Sequence, residues 1–273
     1  MKKMILDWKE ATTWDAIVKK GLTKCLGKFY AKTLKTNADS IAYVDCVDDG
    51  CALFSRAGRD AQIACVIEEL KRCFDEIFVY HACRTNEPTS YYEKGILPLS
   101  LIGSQMQFRD RFKSYVSPVD IDTAITAVST ETINDATHAI IDDRCFLQSS
   151  GHYLIYGSEY QQSLVVHLPG ANEYTRDILK KFGRATIFVC CLPFSEIYAL
   201  EHLASRMLAD HFYRLAHNIQ DVSIIDYSVT LRRKISPLSI VRHYCPARIP
   251  DPCKGFAIWN DEQNKYEMEM LHH

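Results

Sequence analysis

Apolar residues recur at helical spacing from Arg59 to Phe74, with Ile63, Val66, Ile67, Leu70 and Phe74 on one side, and the period then shortens to two. In EIFVYHACRT, Ile77, Val79 and His81 alternate with Phe78 and Tyr80, which predicts a strand that leaves a core and carries His81 to its end. Pro88 suits the first turn of a helix and Gly95 its stop before Ile96 and Pro98, so a helix of about two turns follows. Residues 103–137 predict two helices, the second opened by Ser117 as cap with Pro118 in its first turn. Gly151 to Ile155 predicts a strand, and Ser158 with Gln161 forms a capping pair in front of an apolar helical run. Asn172 to Phe182 reads as a helix ended by Gly183, and ATIFVCCL as a buried strand. Pro193 to Ile219 reads as the longest helix, with Ile197, Leu200, Ala204, Met207, His211 and Leu215 on one side.

In VSIIDYSVTLRRK, Ile225, Tyr227, Val229 and Leu231 share one face of a strand, and Asp226, Ser228 and Thr230 share the other. A polar row of this kind lines a ligand cleft or faces water. The first 58 residues are read as an accessory segment, with a helix from Asp7 to Lys20 and two strands, SIAYVDCV and GCALFSRAG, around a turn at Asp48, Asp49 and Gly50. Residues 59–273 then form the main domain. Strands interspersed with helices, without a regular βαβ cadence, predict an α+β fold rather than a doubly wound parallel sheet.

Composition narrows the class. With 47% hydrophobic and 24% charged residues the chain reads as globular, and no apolar run approaches the roughly 20 residues of a membrane helix. The start, MKKMILDWKEATTWD, becomes charged too early for a signal peptide, so a cytoplasmic protein without a membrane partner is expected. The 11 cysteines are scattered without a C-x-x-C pair and read as reduced core thiols. His243, Cys245 and Cys253 lack a second half with metal-ligand spacing, so no metal is expected. A net charge of −2 leaves only local basic segments for nucleic acid, QFRDRFKSY with Arg109, Arg111 and Lys113, and TLRRKIS with Arg232, Arg233 and Lys234. The interleaved Phe108, Phe112 and Tyr115 can stack bases, but they also fit one apolar helix face, which is the simpler reading.

The strand ending in His81, the short helix and the KGILP exit resemble the first motif of ADP-ribosyltransferases of the histidine type, the class shared by diphtheria-like toxins and poly(ADP-ribose) polymerases. GHYLIYGSEY resembles that family's second motif. The resemblance spans about residues 76–245, with motif-level matches in these two segments. It implies an ADP-ribosyltransferase-like split antiparallel β-sandwich with inserted helices, in which NAD is the substrate. His81 would bond the nicotinamide-side ribose, and the backbone of Ala82 would clamp the carboxamide, although the family usually has glycine there. Arg84 matches a basic position able to reach a pyrophosphate. Tyr153 would stack on nicotinamide with Tyr156 or Tyr160 opposite, and Ser158 lies on the following helix start. Asp226 stands in the place of the family's catalytic glutamate, one methylene shorter, with Glu159 and Glu196 in reserve.

From the resemblance follows NAD-dependent transfer of ADP-ribose to a macromolecular acceptor, protein or nucleic acid. The toxin-like branch includes bacterial toxins and antiviral defence effectors, and the size of the chain suits such an effector. Taken without the resemblance, each residue has a plainer account. A strand-end histidine is commonly structural, the tyrosines fit half-buried positions with wet hydroxyls, and an N-cap explains Ser158 completely. A catalytically inactive nucleotide- or nucleic-acid-binding module on the same scaffold is the alternative, favoured by Ala82 and by the missing glutamate.

Overall fold

The computed structural model describes residues 4–41, 47–128, 136–198 and 200–267. The fold is α+β, mixed helix with mainly antiparallel sheet. It divides into two compact units, one of residues 1–79 with 191–229 and one of residues 80–190 with 230–273, so residue 58 falls inside the first unit. In chain order the first stretch carries β1 (Ile5–Leu6), α1 (Ala11–Leu26), α2 (Tyr30–Thr36), α3 (Val47–Ala52), α4 (Arg59–Cys73) and β2 (Glu76–Thr85). Then come α5 (Thr89–Lys94), α6 (Leu101–Phe112), α7 (Pro118–Ala127), β3 (Thr137–Ile140), α8 (His152–Tyr156), α9 (Glu159–Val166), α10 (Glu173–Asp177) and β4 (Arg184–Pro193). The chain continues through α11 (Leu200–His217), β5 (Ser228–Leu231), β6 (Ile240–Tyr244), β7 (Arg248–Asp251), β8 (Ala257–Asn260) and β9 (Lys265–Tyr266).

The first unit is largely helical. α1 buries Trp14, Ile17, Val18 and Leu22, a stripe at helical spacing, against α4, which buries Ile63, Val66 and Leu70 as its sequence predicts. α11 packs on both and on α2 and α3 through Leu203, Ala204, Met207, Leu208 and Phe212. Each of these large side chains taken fully out of water stabilises the unit by roughly 1.5–3 kcal/mol before chain entropy is counted. The helix expected from Pro193 begins only at Leu200, because Phe194 to Glu196 form a 3₁₀ turn whose Phe194 N–H is donated to the Asp75 carbonyl at 2.8 Å. The turn expected at Asp48, Asp49 and Gly50 is instead part of helix α3, and residues 42–46 of the first expected strand lie outside the described residues. Gly50 serves close packing there: a Cβ on it would stand 2.2 Å from the Phe212 ring.

Two charge clusters tie these helices together. Asp15 accepts from His211 at 2.8 Å and from Arg214 at 2.6 Å, and Arg214 also donates to Asp210 at 2.6 Å. Burial works against the Asp15 charge, but the His211 and Arg214 hydrogen bonds outweigh it and hold the carboxyl at about 2. Glu69 is fully buried, bonded by Lys24, by Arg72 at 2.6 Å and by Lys20 at 3.3 Å; the Lys24 ammonium above all keeps it at about 2. Both carboxyls bind protons less readily folded than unfolded. Their contribution is therefore complete above the ordinary values of 4.5 and 3.8 and is lost as pH falls through these towards about 2. The double variant Asp15→Asn/Glu69→Gln is expected to lose most of the acid dependence of thermal unfolding in this window. A melting-temperature slope equal to that of the unaltered protein would show that the clusters do not carry it.

The second unit holds the sheet residues of interest. Strand order is β5-β3-β2-β4-β6, and β7-β8-β9 form a separate three-stranded antiparallel sheet. In the first sheet Tyr80 of β2 pairs antiparallel with Ile140 of β3, and Phe188 of β4 with His243 of β6. α5 ends as expected at Gly95, whose φ is +83° and whose Cβ would stand 2.2 Å from the Ile235 carbonyl oxygen, so a side chain is excluded twice over. Ser117 caps α7 by accepting from the Asp120 N–H at 3.2 Å. Phe108 and Phe112 are buried, as the core reading of that segment expects, whereas Tyr115 lies past the end of α6 and is exposed. The strand expected at Gly151 to Ile155 is helix α8. Its apolar Leu154, Ile155 and Tyr156 are all buried, and a short run apolar on every side has no period to separate strand from helix.

Candidate functional site

The strand expected to end at His81 runs on to Thr85, so His81 sits within β2 rather than at its end, and is half-buried. Its Nδ1 lies 2.8 Å from the backbone oxygen of His138. A carbonyl only accepts, so Nδ1 carries the proton and Nε2 presents a lone pair. Burial pushes the imidazole pKa down, against the smaller upward pull of that hydrogen bond. The result is a neutral ring of fixed tautomer, able to accept from a hydroxyl. Ala82, the next residue, is half-buried.

Arg84 has a role the sequence reading did not anticipate. Its five N–H groups are all used inside the second unit: Nε on Phe182 O at 3.2 Å, Nη1 on Leu154 O at 2.7 Å and Asp261 Oδ1 at 2.8 Å, Nη2 on Lys180 O at 2.9 Å and Gly183 O at 2.5 Å. A guanidinium has five donors, and none is left to reach a pyrophosphate. Arg84 is a positioning residue. It ties the strand that bears His81 to the carbonyl next to Tyr153, but strand alternation gives Arg84 the face of Tyr80, so α8 is held on the face opposite the His81 side chain.

Tyr153 sits on α8, with its ring half-buried, 4.1 Å from His152 and edge-on to Phe146 at 6.1 Å between centroids. Its hydroxyl donates to Glu159 Oε1 at 2.5 Å, a phenol-to-carboxylate bond near the surface. Ser158 is the cap of α9, accepting from the Gln161 N–H at 3.4 Å. The second stacking partner expected at Tyr156 or Tyr160 is excluded by burial. Tyr160 is buried and accepts from Gln105 at 3.0 Å. Tyr156 is fully buried, and its hydroxyl donates to Asp251, which also accepts from Tyr266. Burial and the Asp251 charge push the Tyr156 phenol far up. The Lys180 ammonium lies over the same group of rings, 4.3 Å from Tyr266, 4.5 Å from Trp259 and 5.2 Å from Tyr156, and donates to the Tyr266 hydroxyl at 2.6 Å. These aromatics are occupied by the protein's own cation.

The polar row around Asp226 alternates as expected, with Ile225, Tyr227, Val229 and Leu231 buried and Asp226, Ser228 and Thr230 exposed. Asp226 precedes strand β5 and belongs to the first unit. Thr230 belongs to the second, its hydroxyl 3.3 Å from His138 Nδ1. Since Tyr80 pairs with Ile140, side-chain alternation gives His138 the face of Tyr80 and gives His81 the opposite one. Thr230 and His81 therefore lie on different faces of the sheet. Glu196 is half-buried in the 3₁₀ turn of the first unit.

The second unit thus offers a hydroxyl acceptor at His81, a half-exposed aromatic ring at Tyr153 and a carboxylate at Glu159. Glu159 gains prominence from its bond to Tyr153; their spacing of six residues across a turn gave no helical or strand period to reveal it. Among the described residues, no group of His, Cys, Asp and Glu is placed to hold a metal ion, and no helix is long and apolar enough to cross a membrane. No match to the chain was found among protein-family models, curated proteins or solved structures.

Proposed function

We propose that the second unit binds NAD and transfers its ADP-ribose to a macromolecule, protein or nucleic acid, on a divergent ADP-ribosyltransferase-like scaffold of the histidine type. The observation that supports this best is the neutral His81 ring, whose Nδ1–H is donated to the His138 carbonyl at 2.8 Å and whose Nε2 is left to accept from a hydroxyl. The donor set suits the ligand. Nε2 of His81 accepts from a ribose hydroxyl, the backbone at Ala82 meets the carboxamide, and the Tyr153 face stacks on a flat heterocyclic cation. NAD supplies a leaving group, nicotinamide, on the anomeric carbon of a ribose. Positive charge grows at that carbon as the bond breaks, and the Glu159 carboxylate, held by Tyr153, is the protein's means of stabilising it. The effector role in bacterial toxicity or antiviral defence rests on the family resemblance alone.

A non-catalytic nucleotide- or nucleic-acid-binding module is the second reading. The burial of Tyr156 and Tyr160 favours it, because it leaves Tyr153 without the opposite aromatic wall. Nicotinamide release separates the two. Incubation with NAD labelled in the adenylate, together with separate protein, RNA and DNA pools, is expected to give free nicotinamide and label on one pool. NAD bound without nicotinamide release supports the binding module, and no NAD binding rejects the transferase and leaves, of the second reading, only a binder of other nucleotides or of nucleic acid. His81→Ala and Tyr153→Ala are each expected to weaken NAD binding about tenfold or more, as read by calorimetry, with an unchanged circular dichroism spectrum.

A further inference from the structure

We propose that the connection from β5 to β6, with the outer edge of β6, is a docking surface for an extended, acidic segment of a partner protein. β5 and β6 are the two ends of the strand order, so residues 232–239 cross from one edge of the sheet to the other. From Ser228 to Pro250 the chain has no Asp or Glu, although the whole protein has 34 acids against 32 Lys and Arg. Arg232, Lys234 and Arg242 in this stretch are exposed, and among the described residues none of them forms an ion pair with a carboxylate. Apolar side chains are exposed between and beside these cations: Leu238 at 97%, Leu97 at 57% and Val241 at 55%. Leu97 adjoins the connection because Ile96 and Ile235 exchange backbone hydrogen bonds at 3.0 and 2.9 Å.

Cations flanking an apolar centre call for a ligand with acids flanking apolar residues. A nucleic acid meets only half of this demand. It would pair with the cations, yet it would leave Leu238 and Val241 uncovered, and the rings beside them are engaged within the protein, Tyr244 on Asp143 at 2.6 Å and Tyr92 on His243 at 2.8 Å. A second copy of this chain fits worse, since the same cations would then face each other. The backbone favours an extended partner. β6 bonds β4 on one side, no strand among the described residues pairs with its other side, and the register shift opposite Val189 and Cys190 leaves Val241 outside the ladder.

The test uses the full chain and a fluorescein-labelled synthetic peptide with paired glutamates at both ends and Val-Leu-Val between them. A control peptide has serine in place of the three apolar residues, and an oligothymidylate serves as the polyanion. Fluorescence anisotropy is expected to show the apolar acidic peptide binding about tenfold or more tightly than its serine control. Leu238→Asp is expected to remove that preference, and Arg232→Glu/Lys234→Glu to weaken the peptide about tenfold or more and flatten its salt dependence. All these positions are exposed, so circular dichroism should not change. Equal binding of the two peptides overturns the proposal. So does oligothymidylate binding that is tighter than peptide binding and indifferent to Leu238→Asp, which would assign the surface to nucleic acid.

Discussion

Arg84→Ala is expected to lower the stability of the second unit by about 3–5 kcal/mol, the usual cost of removing one partner from a buried ion pair. Both side chains of the Arg84–Asp261 pair are buried, at 5% and 3% exposure, so loss of the guanidinium leaves a carboxylate that water cannot solvate. Asp261 keeps two donors, the Ala185 N–H at 2.9 Å and the Trp259 indole at 3.1 Å, and neither carries charge. Four backbone carbonyls, of Leu154, Lys180, Phe182 and Gly183, lose a partner at the same time. Arg84→Lys restores the charge but not the planar fork, and its three donors cannot reach five acceptors set around a plane. It should recover only part of the loss. Urea unfolding followed by tryptophan fluorescence measures both variants. A loss below about 1 kcal/mol for Arg84→Ala would place the residue among ordinary surface arginines and leave the two motif segments untied.

The local signals in the chain carried local structure well. Ser117 and Ser158 cap the helices that follow them, and Gly95 ends α5 with a left-handed φ, because each needs only a few neighbours to act. The alternation from Ile225 to Leu231 was legible for the same reason, as one buried face writes a period of two into the sequence. Failures begin where tertiary contact decides. Gly50 looked like a turn residue and is a seat for the Phe212 ring, more than 160 positions away. Arg84 looked like a ligand contact because its partners stand 70 to 177 positions off and none has a spacing that betrays it. Tyr156 looked like a stacking platform. Its hydroxyl meets Asp251 at a separation of 95, and nothing near Tyr156 in sequence announces a buried acid. The candidate residues were thus legible as residue types, whereas which of them are engaged in the protein's own packing depended on distant partners.

That dependence leads to the second large effect, on the carboxylate of the proposed reaction. Placement along the chain favours Asp226, and geometry favours Glu159, because Glu159 lies in the same unit as His81 and takes the Tyr153 hydroxyl at 2.5 Å. An isosteric amide separates the two. Glu159→Gln keeps the hydrogen bond with Tyr153 and removes the negative charge, so it is expected to leave NAD affinity within a few-fold and to lower nicotinamide release about 10²–10³-fold, the usual yield of one electrostatic contact made mainly in the transition state. Asp226→Asn is expected to change release less than threefold or so, since the Tyr153 hydroxyl is bonded to Glu159 and orients that carboxylate instead. Tyr153→Phe provides the internal control. It preserves the stacking ring while freeing Glu159, so it should cost less in affinity than Tyr153→Ala and still reduce turnover through a carboxylate no longer held in place. The opposite ranking, with Asp226→Asn inactive and Glu159→Gln near normal, would return the acid role to the strand position that the resemblance first indicated. Loss of NAD binding in Glu159→Gln would instead show that the carboxylate shapes the pocket rather than the reaction.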